Sequence, residues 1–261
     1  MMGDMSVPRT GWEDGELYLR ASATLLASWE AYARGASGAT VARLPGVAVA
    51  VFPNGPEREF FNNALLERAL DPAGRAEALD AMESAYARAG VGRFAAWVHE
   101  SDGSMRADLE ARGYTVAEST RAMGMALDDL RLPRPTLELG PADWSEYLRV
   151  LGVPPGFLGG VRDDALHVLV ARLDGENVAT AMAFDLEGDC GIYNVTTQPH
   201  ARRRGLGTAL TALHLYDARD RGCRTASLQS TEMAEGVYAA AGFRDLGRIL
   251  EYAPAAVSSV V

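Results

Sequence analysis

Residues 198–210 read QPHARRRGLGTAL. Three arginines run into Gly205-Leu206-Gly207, and an amphipathic segment of small residues follows. A helix start exposes backbone N–H groups that have no partner inside the helix, and the helix dipole adds partial positive charge there. Glycines let the backbone approach an anion closely, because no Cβ intervenes. The stretch therefore reads either as an anion-binding turn or as a tight strand-to-helix turn with a solvated arginine run. Its surroundings have to decide between the two.

Downstream of Pro133 and Pro135, which mark a linker, the pattern is regular. PADWSEYLRVLG predicts a helix from about Pro141. HVLVARL and ENVATAMAFDLE predict two strands joined by an Asp174-Gly175 hairpin turn. Gly188-Asp189 predicts a second turn, and CGIYNVTT a third strand that enters the arginine-glycine loop. The following helix has Leu206, Leu210, Leu213 and Tyr216 spaced for one face. TASLQS then reads as a strand, EMAEGVYAAAG as a short helix ending near Gly242, and FRDLGRILEYA as a final strand pair. This order predicts a mixed α/β sheet with helical crossovers.

The upstream half repeats part of this rhythm. A slide of 129 residues puts Gly113 on Gly242 and Tyr114 on Phe243. AEALDAMESAYARAG resembles the long helix, FAAWV the strand after it, and FFNNALL is strand-like. The repeat suggests an internal duplication with a boundary near residue 130. Between FFNNALL and its helix lies ERALDPAGRAEAL, which has no Arg-x-x-Gly-x-Gly, and Leu109 stands where Tyr238 stands downstream. On this reading the first half has lost an anion loop.

Composition narrows the function classes. The chain has 261 residues, room for one large domain or two small ones. It carries 25 basic residues, all arginine, against 35 acidic ones, a net charge of −10 that argues against nucleic acid as main partner. That balance weakly fits a cationic small-molecule substrate. No apolar run of about 18 residues is present to span a membrane. The polar, acidic N-terminal stretch MMGDMSVPRTGWEDGE lacks the basic and apolar regions of a signal peptide, so a cytoplasmic location is expected. Cys190 and Cys223 have no metal-ligand spacing, and no metal is expected.

Residues 135–252 resemble the GNAT superfamily of acetyl-CoA-dependent N-acetyltransferases. Arg202, Gly205 and Gly207 match that family's [RQ]-x-x-G-x-[GA] loop, set between a strand and a helix. STEMAEGVYAAAGF, 230–243, looks like its late helix, which carries a tyrosine shortly before Gly-Phe. The resemblance implies a GNAT-like fold, in tandem: a degenerate domain over 1–130 and an acetyl-CoA-binding domain over 131–261, with cofactor binding retained in the second if it folds alone. It implies direct acetyl transfer from acetyl-CoA to an amine, with a small-molecule amine as the acceptor. A peptide acceptor and a non-catalytic CoA-binding module are the alternatives, and a homodimer is possible.

The resemblance also assigns residues. Backbone N–H groups of Arg203, Arg204, Gly205, Leu206, Gly207 and Thr208, with Arg202 in the same loop, would hold the diphosphate. Val195, Thr196 and Thr197 would offer strand backbone to the pantetheine amides, as an added strand would. Tyr238 would protonate the departing thiolate, being neutral at ordinary pH. Some relatives place a glutamate base four residues before Val195; here that residue is Gly191. Asp185, Glu187, Asp189, Tyr193, Glu232 or a water relay remain as candidates. A covalent route at Cys190 is not needed, because direct transfer uses no thiol, and His200 reads as a solvated loop residue. The loop 152–160, GVPPGFLGG, reads either as an apolar lid built on Pro154, Pro155, Phe157 and Leu158 or as a packed connector between the halves.

Overall fold

The computed structural model describes residues 11–54, 61–154 and 156–255. Residues 1–10 of the stretch read for a signal peptide, and Pro155, lie outside them. The chain folds twice through one element order: helix, three strands, helix, strand, helix, strand. In the first half these are α1 (Asp14–Gly35), β1 (Thr40–Leu44), β2 (Val47–Val51), β3 (Asn63–Leu66), α2 (Pro72–Ala89), β4 (Ala95–His99), α3 (Gly103–Ala111) and β5 (Tyr114–Ala126). In the second they are α4 (Trp144–Leu151), β6 (Leu166–Leu173), β7 (Glu176–Leu186), β8 (Asp189–Thr197), α5 (Leu206–Asp220), β9 (Thr225–Ser230), α6 (Glu232–Ala241) and β10 (Arg244–Pro254). Gly113 and Gly242 both follow the third helix of their half in left-handed conformation, at φ 85° and 116°.

All ten strands form one mixed sheet, in the order β1-β2-β3-β4-β10-β5-β9-β8-β7-β6. The last strand of each half crosses into the other. β10 lies between β4 and β5, and β5 lies between β10 and β9. Each begins in its own core and ends in its neighbour's. Tyr114 of β5 packs in the first half's core, whereas Met123 and Met125 pack with Leu228 of the second. Phe243, just before β10, sits in the second core and Tyr252, near its end, in the first. A further cluster joins the halves: Trp29, Tyr32, Phe52 and Phe61 pack with Tyr147, Met182 and Phe184.

Three local expectations change. FRDLGRILEYA is not a strand pair but one strand, bulged between Asp245 and Arg248. The helix expected from Pro141 starts at Trp144, where the Asp143 carboxylate caps the Ser145 and Glu146 N–H groups. The buried face of α5 runs through Leu206, Leu210, His214, Leu215 and Ala218, while Leu213 and Tyr216 are half-buried. Burial of His214 and Thr211 hides this face from a pattern that counts apolar residues. The linker is also anchored: the Tyr216 hydroxyl donates to the Leu132 carbonyl at 2.9 Å, and Arg134 pairs with Asp217 and Asp220.

The strand exchange bears on whether either half folds alone. A fragment of residues 131–261 lacks β5 and leaves both β9 and β10 with an open edge. It is expected to show no cooperative urea transition by circular dichroism on its own, and to gain one on mixing with residues 1–130.

Candidate active site

β8 and β9 run parallel and pair from Asp189↔Thr225 to Ile192↔Leu228. Beyond Ile192 the strands part, and β8 continues alone on that side through Tyr193–Thr197. On its other side β8 stays paired with β7, but the register slips between Met182↔Tyr193 and Thr180↔Thr196. Two β8 residues therefore face one on β7, and Asn194 takes a left-handed φ of 54°. Its side chain holds that shape, donating through Nδ2 to the Tyr32 hydroxyl at 3.0 Å and to the Tyr147 hydroxyl at 2.9 Å. The freed backbone includes Val195, Thr196 and Thr197.

Past Thr197 comes a short 3-10 turn, then the arginine-glycine loop. Arg202 folds back, its Nε donating to the Thr197 carbonyl at 3.1 Å. Arg203 and Gly205 are left-handed, at φ 63° and 76°. α5 then starts at Leu206 with no side-chain cap. Among the described residues, the N–H groups of 203–208 donate to no backbone carbonyl and no side chain; the first intrahelical bond is from Ala209 to the Gly205 carbonyl. A Cβ built on Gly205 meets nothing within 4 Å, so the space above it is open. Six free N–H groups, a helix N-terminus and the exposed Arg203 and Arg204 suit a diphosphate.

The first half shows the same join without the site. Its β3 stays paired with β4 from Asn63↔Ala95 to Leu65↔Trp97. The N-terminus of α2 is capped by the chain's own Asp71, which accepts from the Gly74 N–H at 2.7 Å. Leu109, in the position of Tyr238, is 0% exposed in the core.

Tyr238 stands on α6, half-buried, with its ring edge-on to Phe243. Burial raises its phenol above the ordinary value, so it is protonated at neutral pH. It lines a cavity of about 650 Å³ together with Tyr193, Asn194 and Val195. β9 and α6 add Leu228, Gln229 and Ala234, and the first half contributes Trp29 and Tyr32 of α1, Trp97 of β4, Glu118 of β5, and Phe52 and Phe61. Glu251 of β10 completes it.

Of the five base candidates, only Tyr193 lines this cavity. Burial pushes its phenol well up, and a protonated phenol takes no proton. Its side chain also explains Gly191: a Cβ there would lie 2.2 Å from the Tyr193 hydroxyl. Asp185 is occupied by His167 at 3.3 Å and Arg221 at 2.6 Å. Burial opposes its ionisation, but those two partners outweigh it and hold the carboxyl well below the usual range. Glu187 sits exposed in the β7–β8 turn, and Glu232 is exposed at the start of α6. Asp189, 2% exposed, accepts from Thr24, Thr225 and Ser227 hydroxyls at 2.7–2.8 Å, tying α1 to the β8–β9 pair. Cys190 is buried, and that burial raises its thiol well above the ordinary value. His200 is an exposed loop residue, as expected, 3.5 Å from Glu176. Among the described residues no group of His, Cys, Asp and Glu is placed to hold a metal, and no helix is long and apolar enough to cross a membrane.

The sequence profile of the Acetyltransferase (GNAT) family matches residues 125–243. That stretch of the chain is similar to the family's acetyltransferase domain. A GCN5-related N-acetyltransferase from Kribbella flavida superposes with a TM-score of 0.69 at 18% identity, over 94% of this chain and 96% of its own. One from Sphaerobacter thermophilus gives 0.57 at 16% identity, over 93% of each chain. A tandem GNAT protein from the clavulanic acid biosynthesis pathway gives 0.56 at 14% identity, over 84% of this chain and 83% of its own. At such identities the likeness is one of fold. No curated protein matches the chain.

The GNAT fold implies acetyl-CoA as cosubstrate, and the freed β8 backbone and the 203–208 cradle fit its amides and diphosphate. Sequence reading missed Trp29, Trp97, Glu118 and Glu251, because they belong to the half without the loop and to the exchanged strand. The described residues of the 152–160 loop pack as a connector rather than a free lid: Leu158 is buried, its carbonyl accepts from Trp144 Nε1 at 2.8 Å, and Phe157 packs on Phe52 and Phe61.

Two outcomes check this geometry. Gly205→Val forces a β-branched residue into left-handed backbone and covers the open space, so calorimetry on the folded variant is expected to show acetyl-CoA affinity falling at least about tenfold. Asp189→Ala strands three buried hydroxyls and is expected to lower urea stability by about 3 kcal/mol or more, as a structural cross-link would.

Proposed function

We propose that the chain moves an acetyl group from acetyl-CoA directly to a primary amine of a small molecule held in the cavity between the two halves. One observation carries this reading: β8 at Val195 and the hydroxyl-bearing Tyr238 border the same cavity, and residues of the first half line its far side. Walls from both halves favour a compact acceptor over an extended peptide, which would need an open groove.

Acetyl-CoA supplies the activated acetyl group. The N–H groups of Arg203, Arg204, Gly205, Leu206, Gly207 and Thr208 hold its diphosphate, with Arg202 bracing the loop against Thr197. Val195, Thr196 and Thr197 hold the pantetheine arm as an added strand. Tyr238, kept protonated by its burial, donates its proton to the departing sulfur. Water in the cavity takes the amine's proton. Holding both partners at one opening converts a two-body encounter into a local one.

Tyr238→Phe tests the assignment. The variant is expected to bind acetyl-CoA as the parent does and to lose roughly 10²–10⁴-fold in kcat, measured by thiol release with an accepted amine. Full turnover would remove Tyr238 from the chemistry. A small loss of kcat with a raised KM would make it a residue that positions the cosubstrate.

A further inference from the structure

Thr211 carries a hydroxyl that the fold itself does not use. It lies on α5, 1% exposed, and its Oγ1 meets no hydrogen-bond partner among the described residues. A threonine inside a helix commonly turns its hydroxyl back to the carbonyl one turn earlier; this one does not. A buried hydroxyl left unpaired costs stability, so its presence asks for a partner that forms at another stage.

The stripe of α5 that carries Thr211 faces the site. Gly207, Thr211 and Leu215 are spaced four apart and share one side of the helix. A Cβ on Gly207 would lie 3.3 Å from Val195 Cγ1, so that side looks toward β8. Leu215 is buried in the cluster against which both Val195 and Tyr238 pack, and α5 packs on α6. Burial raises the Tyr238 phenol, and the Thr211 hydroxyl acts in the opposite direction, as a neighbouring donor does. The two hydroxyls are therefore neighbours that stop short of hydrogen-bond geometry at rest. Hydrogen bonds to a reacting group often tighten only when the substrate is bound and charge develops.

We infer that Thr211 is a positioning residue for Tyr238, its O–H turning to the Tyr238 oxygen as that oxygen gives up its proton. This rests on the reading of Tyr238 as the proton donor. In that step the carbon–sulfur bond of the tetrahedral intermediate breaks and its electron pair goes to sulfur. The Tyr238 O–H bond breaks, sulfur takes the proton, and the phenolate left behind accepts from Thr211. The proton that the amine gave to water then returns to the phenolate. Thr211 acts through Tyr238 alone.

The test labels the full chain with 3-fluorotyrosine and follows the Tyr238 fluorine signal, identified by its loss in Tyr238→Phe, through a pH titration. Thr211→Val keeps the side chain's shape and removes the donor. It leaves in place the charged groups around α6 and the cavity, namely Glu235 with its partners Arg121 and Arg248, and Glu118 and Glu251. The Tyr238 signal is expected to titrate at higher pH in Thr211→Val, by roughly half a pH unit or more, and at the parent's pH in Thr211→Ser. Thr211→Ala carries the test if the valine variant fails to fold. An unmoved titration in a folded variant, or no recovery in Thr211→Ser, would overturn the inference. In the thiol-release assay Thr211→Val is expected to lose roughly tenfold in kcat with KM for acetyl-CoA unchanged, and nothing further when Tyr238 is already Phe. Additive losses would overturn it as well, because they make Thr211 act independently of Tyr238. A moved titration together with full turnover in Tyr238→Phe keeps the hydroxyl pair and overturns the transfer reading.

Discussion

The exchange of the last strands holds this molecule together. A strand needs partners on both edges unless it ends a sheet, because its N–H and C=O groups must be paired or solvated. β5 and β10 meet that need only through each other's half, with β10 paired to β4 and β5, and β5 paired to β10 and β9. Each strand also delivers side chains to two cores, Tyr114 and Met125 from β5, Tyr252 and its neighbours from β10. The two halves are thus one folding unit built from one repeated plan. The exchange also brings a carboxylate from each half to adjacent places in the cavity wall.

Within that frame one plan gives two different strand junctions. In the second half the pairing of β8 with β9 stops at Ile192, and the bulge at Asn194 turns the rest of the strand away. A left-handed Asn is tolerable, but it needs support, and Tyr32 and Tyr147 supply it from α1 and α4. In the first half β3 stays with β4, and Asp71 fills the helix start that an anion would otherwise occupy. At that helix start a carboxylate cap stabilises the helix and would repel a diphosphate.

Buried polar residues in the second half divide by their partners. Asp189 is saturated by three hydroxyls and works as a cross-link. Asp185 is saturated by His167 and Arg221. Tyr193 folds over Gly191 and fills the space that a side chain at that position would need. A strand that reads as rich in acid-base candidates thus leaves only a neutral phenol facing the cavity, and proton removal falls to solvent in the proposed mechanism.

The sequence by itself determined the element order of both halves, the loop at 202–207, the short helix bearing Tyr238 and the duplication. These are local: spacing, turn residues and glycines at a helix start act within a few residues, so they are visible in one dimension. It also showed that the first half lacks the loop. Only the tertiary structure decided that the terminal strands change places, since nothing in a strand's alternation names its neighbour. The buried face of α5, with His214 and Thr211 inside, was likewise hidden until its packing was seen. The cavity is the clearest case. Its wall joins Trp29, Trp97 and Glu118 to Glu251, residues up to 222 apart in the chain, and that juxtaposition is made by strand exchange and long-range packing rather than by any local pattern.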